Sequence, residues 1–311
     1  ADVLFTSHFW PRWGRDHIND YLLRHAQAYA FVHNESVRLM NEGKNAVEIG
    51  EAIQLPAPLA SAWFNRPNYG SLKFNARAVY QRYLGAFDGD PASLDPLPRA
   101  ELAPRLVKQM GGAKKVLAAG KAAAAKGDDR WAATLLSTLV RAAPDTPGAK
   151  AALAGVYRQL AWRAEAAPWR NFYLTGAQEL EQGIKPSTPA SAAGIAANLT
   201  VSMLLDSMSV RLVPERALAP LTIAFEIPDA QERHLVTIGN GVMLHEMGVA
   251  DAAQATLVIP RRALIGLIGG QVKAPELMAA GTLKVAGDVA ALQRFMTLFA
   301  PPRADFPLVS P

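Results

Sequence analysis

The chain changes grammar once, and that change bounds the folds open to it. Between Gly183 and Ser191 the run Pro186-Ser187-Thr188-Pro189-Ala190-Ser191 interrupts the pattern. Proline lacks the amide hydrogen that a helix needs and restricts the residue before it. Before this break apolar residues recur at helical spacing. After it they alternate, or run together over five to seven residues. A mainly α-helical N-terminal part followed by an α+β unit is the fold class expected.

The first helix is predicted from Arg15 to about Glu42, with Ile18, Tyr21, Leu22, His25, Tyr29 and Val32 on one face and Gly43 as its stop. A short helix follows over Ala46 to Ile53, and a third runs from near Pro58 to before Pro67. The stretch from Asn65 to Asp90 gathers Tyr69, Phe74, Tyr80 and Tyr83 between glycines, a composition that suits a site or an interface. From about Pro104 to Gln182 the pattern becomes paired helices. Trp131, Leu135, Leu136, Leu139 and Val140 share one face, and Leu153, Val156, Tyr157, Leu160 and Ala161 share the next. The break Ala143-Pro144-Asp145-Thr146-Pro147-Gly148 between them gives a tetratricopeptide-like hairpin inside a helical bundle.

Beyond the linker, strands are expected at Met208 to Val213, Leu221 to Ile227, His234 to Ile238, Val242 to Met247 and Ala255 to Ile259. Asn240-Gly241 is a two-residue hairpin signal. Helices at Arg261 to Ile268 and Pro275 to Ala280, a strand at Leu283 to Val285 and a helix from Asp288 to Phe299 complete the unit.

Composition removes several functions. Half of the 311 residues are hydrophobic, so sizeable cores are available. The 32 basic and 27 acidic residues give a net charge of +5 with no long block of one sign, so a nucleic-acid arm is not expected. No apolar run reaches the roughly 18 residues of a membrane span. The absence of cysteine excludes disulfides and thiol nucleophiles and fits cytoplasm and periplasm equally. There is no G-x-S-x-G and no glycine-rich phosphate loop.

Six histidines remain, and none pair in H-x-H or H-E-x-x-H spacing. His17, His25 and His33 are eight residues apart and advance about 80° per step around a helix, so they do not converge on one ligand. His25 reads as a packed core residue. His8 stands apart, because it follows the apolar Val3-Leu4-Phe5 and opens a loop with two tryptophans and a proline. A zinc site needs three or four ligands, and only seven residues precede His8. Its partners are expected from downstream, from another chain or from a preceding segment.

Several segments together resemble a known family. They are Ser7-His8-Phe9-Trp10-Pro11-Arg12-Trp13-Gly14, Leu39-Met40-Asn41-Glu42-Gly43, Asn68-Tyr69-Gly70-Ser71, Ala78-Val79-Tyr80-Gln81-Arg82-Tyr83-Leu84-Gly85, Asp88-Gly89-Asp90-Pro91 and Arg170-Asn171-Phe172-Tyr173-Leu174-Thr175-Gly176-Ala177-Gln178-Glu179-Leu180. In this order they resemble the zinc-dependent alkyl sulfatases of the metallo-β-lactamase superfamily. That resemblance implies a remnant of the catalytic domain at 1–14, a helical dimerisation domain at 15–183, a linker at 184–191 and a sterol-carrier-protein-2-like domain at 192–311.

It also implies hydrolysis of an alkyl sulfate such as dodecyl sulfate by a zinc-activated water, with two zinc ions, a homodimer and a bacterial periplasmic or secreted location. His8 takes the role of the last zinc ligand. Tyr80 becomes a catalytic group near the sulfate, with Tyr69, Asn75 and Arg77 as substrate-binding residues and Arg12 and Arg82 as accessories. The family's H-x-H-x-D-H motif is not in this sequence, so the chain by itself is expected to be inactive. The catalytic domain would be its missing partner. Six of the eight methionines, Met203, Met208, Met243, Met247, Met278 and Met296, fall in the last unit and suggest an adaptable groove for an aliphatic chain. The alternative is a non-catalytic dimeric protein that binds lipid or surfactant.

Overall fold

The computed structural model describes residues 1–186, 198–248, 253–301, 303 and 305–311. The chain forms two compact units, one of residues 1–184 with 307–311, the other of residues 185–306. Of the expected linker, residues 187–191 lie outside the described residues.

In the first unit, β1 (Val3–Leu4) pairs antiparallel with β2 (Arg12–Trp13). Helix α1 then runs for 27 residues, Arg15–Asn41. Only Ile18, Ser36 and Leu39 are buried along it. Leu22 and Tyr29 of the expected apolar face point to solvent, while Tyr21, His25 and Val32 are half-buried. Asn45 caps α2 (Ala46–Ala52) with a full capping box, its side chain accepting from the Val47 and Glu48 amides while Glu48 accepts from the Asn45 amide. The third expected helix shortens to α3 (Ala57–Ala60) and a 3₁₀ turn, Trp63–Asn65. Helix α4 (Leu72–Leu84) packs Ala76 and Tyr80 against Leu39, Ile49 and Ile53.

The paired-helix region is α5 (Arg99–Gln109), α6 (Ala113–Ala125), α7 (Asp129–Ala142), α8 (Ala149–Arg163) and α9 (Ala167–Gln182). Each of α6, α7 and α8 packs on the next helix in sequence. Leu135, Leu136, Leu139, Leu153 and Val156 fill the seam, as the periodicity requires, although Trp131 on the same stripe is half exposed. A Cβ on Gly120 would lie 2.7 Å from Leu136, so that glycine is what lets α6 and α7 meet.

The second unit opens with α10 (Val201–Ser209), capped by the Thr200 hydroxyl. The strand expected at Met208 to Val213 does not form. Val201, Leu204 and Leu205 bury at helical spacing, and the helix carries Met208 with it. A five-stranded sheet follows in the order β5-β4-β3-β6-β7. Its strands are β3 (Leu221–Ile227), β4 (Glu232–Gly239), β5 (Val242–Met247), β6 (Ala255–Val258) and β7 (Lys284–Gly287). Only β3 and β6 run parallel among these neighbours. Asn240 and Gly241 both take positive φ, 54° and 79°, the geometry of a type I′ turn, and fix the β4–β5 register. Helices α11 (Arg261–Ile268), α12 (Ala274–Ala279) and α13 (Val289–Met296) complete the unit. Its core gathers Phe225, Leu257, Leu264 and Phe295. No helix among the described residues is long and apolar enough to cross a membrane.

Candidate functional site

His8 sits in the turn that joins β1 to β2. The strand before it stops at Leu4, so Phe5 is exposed and the loop begins earlier than expected. The His8 carbonyl accepts a hydrogen bond from the Thr6 hydroxyl, and its imidazole is exposed. Phe9 adopts φ 66°, a left-handed conformation that side chains avoid.

What holds this loop is aromatic packing. Trp10 stacks on Trp63 with ring centres 5.3 Å apart, and Phe9 meets Trp63 edge-on at 5.4 Å. The Arg12 guanidinium lies 4.4 Å from the Trp63 ring centre and 4.9 Å from that of Tyr21. Its Nη2 is buried without a hydrogen-bond acceptor and faces ring surfaces instead. His25 stacks on Phe64 at 4.9 Å, and its Nδ1 is 3.0 Å from the Tyr21 carbonyl oxygen. Arg12 is therefore a structural cation in an aromatic box.

The other expected site residues lie around α4. Tyr80 is buried, and its hydroxyl donates to the Phe87 carbonyl at 2.8 Å, so its one proton is already committed. The chain returns Phe87 to that position after Gly85, which has φ 74°. Tyr69 is 82% exposed. Asn75 lies against Gly70, where a Cβ would come within 3.4 Å of its amide nitrogen. Arg77 lies beside the Phe74 ring at 5.8 Å, with Nε buried and without an acceptor, and Phe74 in turn meets Trp169 edge-on. Among the described residues no hydrogen bond or ring contact joins His8 to Tyr69, Asn75, Arg77 or Tyr80. No group of three or more His, Asp or Glu is arranged there to hold a metal ion. One exposed imidazole does not make a zinc site, so the residues present do not by themselves fit the expected zinc pair.

Near the C-terminal end of α9, Glu179 accepts from three consecutive amides, Leu308 at 2.9 Å, Val309 at 3.3 Å and Ser310 at 2.9 Å. Burial pushes its carboxyl up, but these donors and the Ser310 hydroxyl together outweigh burial and hold it below the ordinary carboxylate range.

In the second unit a cavity of about 230 Å³ opens between the sheet and α11 and α13, lined by Met208, Phe225, Leu257, Leu264 and Phe295, with Arg211 as its one charged residue. The Arg211 Nε donates to the Ala300 carbonyl at 3.1 Å and Nη1 to that of Ile268 at 2.9 Å. Of the six methionines expected to form a groove, only Met208 and Met296 line this cavity. Met243 is buried in the core, and Met203, Met247 and Met278 are exposed.

The helical array and the α+β unit that follows it are each matched by a family model. Residues 45–183 match the family model described as alkyl sulfatase dimerisation, and residues 189–311 match that described as alkyl sulfatase C-terminal. The chain is 37% identical over its whole length to an (R)-specific secondary-alkylsulfatase of Pseudomonas sp, covering 47% of that protein. It is 35% identical over 96% of its length to a linear primary-alkylsulfatase of Pseudomonas sp, covering 45%. The solved structure of the stereoselective inverting sec-alkylsulfatase Pisa1 from Pseudomonas sp. matches all of this chain and 49% of its own, with a TM-score of 0.93 at 36% identity. The chain belongs to the alkyl sulfatase family, and it spans about half the length of the curated relatives it matches.

Proposed function

We propose that this chain is the dimerisation and chain-binding part of an enzyme that hydrolyses alkyl sulfate esters. Water adds across the ester, and an alcohol and hydrogen sulfate leave. Similarity to alkylsulfatases along the whole chain carries this reading. The first unit, which contains the dimerisation match, would supply the homodimer interface. Zinc would be held chiefly by residues beyond this chain, with His8 as one ligand. Among the described residues its exposed imidazole has no side-chain hydrogen-bond partner that would compete.

The second unit would hold the alkyl tail. Its cavity of about 230 Å³ is lined mainly by apolar side chains, a lining that suits an aliphatic tail. Each buried methylene contributes about 0.8 kcal/mol. Arg211 lies at the cavity with its guanidinium held in place by two backbone carbonyls. Tyr80 could offer its proton to a sulfate oxygen only after leaving the Phe87 carbonyl.

The test is sulfate release from dodecyl sulfate, measured for the 311-residue chain and for the longer protein that contains it, each with added zinc. Release by the longer protein only, abolished by chelator and by His8→Ala, is the expected result. Release by neither would overturn the enzymatic reading. Detergent binding by the chain without any release from the longer protein would favour a surfactant-binding protein.

A further inference from the structure

The β4–β5 hairpin brings together side chains that their sequence positions keep apart. Its register sets His234 opposite Met247 and Val236 opposite His245. Side chains alternate across a sheet, so His234, His245 and Met247 share one face at the sheet's β5 edge. The two imidazole centres are 6.1 Å apart. With metal–nitrogen bonds of about 2 Å, two rings on one ion have centres within about 6.5 Å of each other.

Both rings are already oriented. The His234 Nε2 lies 2.9 Å from Glu232 Oε2, and the His245 Nε2 lies 2.9 Å from Asp206 Oδ1 on α10. A carboxylate accepts only, so each Nε2 is the donor, and in the neutral ring Nδ1 holds the lone pair. This is the outer arrangement that metal-binding histidines use, with a carboxylate fixing the tautomer and raising the basicity of the free nitrogen. His234 is 0% exposed, and its Nδ1 is buried with no hydrogen-bond partner among the described residues. A buried acceptor left unmet is costly. The third vertex, Met247, stands opposite His234 in the register and is 65% exposed.

We propose that His234, His245 and Met247 form a binding site for a soft monovalent ion, cuprous copper. Two imidazoles and a thioether suit that ion, whereas zinc and harder ions draw on more nitrogen, carboxylate or thiolate ligands. The site lies in the second unit and is independent of the proposed hydrolysis.

The purified 311-residue chain, titrated anaerobically against the cuprous bicinchoninate complex, tests it. One equivalent of copper is expected to move to the protein. Because His234 lies in the core, the variants are made at the two more exposed positions. Met247→Leu should weaken uptake at least tenfold and His245→Asn should abolish it, with circular dichroism unchanged in both. No uptake, or uptake unaffected by both substitutions, overturns the proposal. Zinc bound as tightly as copper, and equally by Met247→Leu, overturns the role of the thioether.

Discussion

The two units spend their apolar residues differently. In the second, Phe225, Leu221, Ile223, Leu257 and Phe295 are all essentially fully buried in one core. In the first, α1 is 27 residues long yet buries three, and Leu22, Leu23 and Tyr29 face solvent. The loop between β1 and β2 is equally open, with Phe9 and Trp10 at least half exposed. A sheet folded over its own core can be complete in one chain. A long helix with large apolar residues in water has the composition of a surface that something else covers, in line with the dimer proposed for this unit.

Breaking each side of that contrast should give effects of different size. Phe225→Ala in the closed core should cost about 3–5 kcal/mol, read by urea denaturation. A cost below 1 kcal/mol would mean that this core is looser than its burial indicates. Trp63→Ala removes ring contacts to Phe9, Trp10 and Phe64 and the face under Arg12. It should cost about 2–3 kcal/mol and abolish the near-ultraviolet dichroism of the stacked tryptophans.

The tail contact gives a smaller, local effect with a defined sign. Because the Glu179 carboxyl is held below its ordinary range in the folded chain, its contribution is present above the unfolded carboxylate value. It is lost as pH falls through the lower folded one. Amide exchange at Leu308, Val309 and Ser310 should therefore accelerate below about pH 4 relative to the intrinsic rate, and Glu179→Gln should show that acceleration at neutral pH. Smallest of all, Tyr29→Ala should change the stability of the monomeric chain by less than about 0.5 kcal/mol. Sedimentation at rising concentration shows whether the same substitution weakens self-association.

Much of this architecture could be read from residues. Strands β3 and β5 and helix α11 fall where alternation and helical spacing put them, because each has strong punctuation: Pro220 and Pro228 around β3, Asn240-Gly241 before β5 and Pro260 before α11. The segment at Met208 to Val213 failed because a short apolar run serves helix and strand alike, and the Thr200 cap decided it. Only two of the six methionines, Met208 and Met296, reach the apolar cavity, because a residue count says nothing about direction. Among the site residues, the packing of Arg12 and the commitment of the Tyr80 hydroxyl depend on chain segments about 50 and 7 residues away that no local pattern connects. The meeting of His234 and His245 was within reach. A two-residue turn at Asn240-Gly241 makes opposite positions sum to a constant, which sets the two histidines on adjacent diagonals.

The return of the chain to its first unit has a further consequence. Residues 185–306 leave that unit at Ile184 and rejoin it at Pro307, so the second unit is an insertion with both ends anchored. That closure is made by hydrogen bonds and not by a covalent bond, so it acts on the folded chain and leaves the unfolded one unconstrained. The closure lasts only while the tail is held, and three backbone amides on one carboxylate supply much of that hold. Glu179 thus acts as a clasp, and opening it would release residues 308–310 from α9 and leave the second unit tethered at one end of its chain.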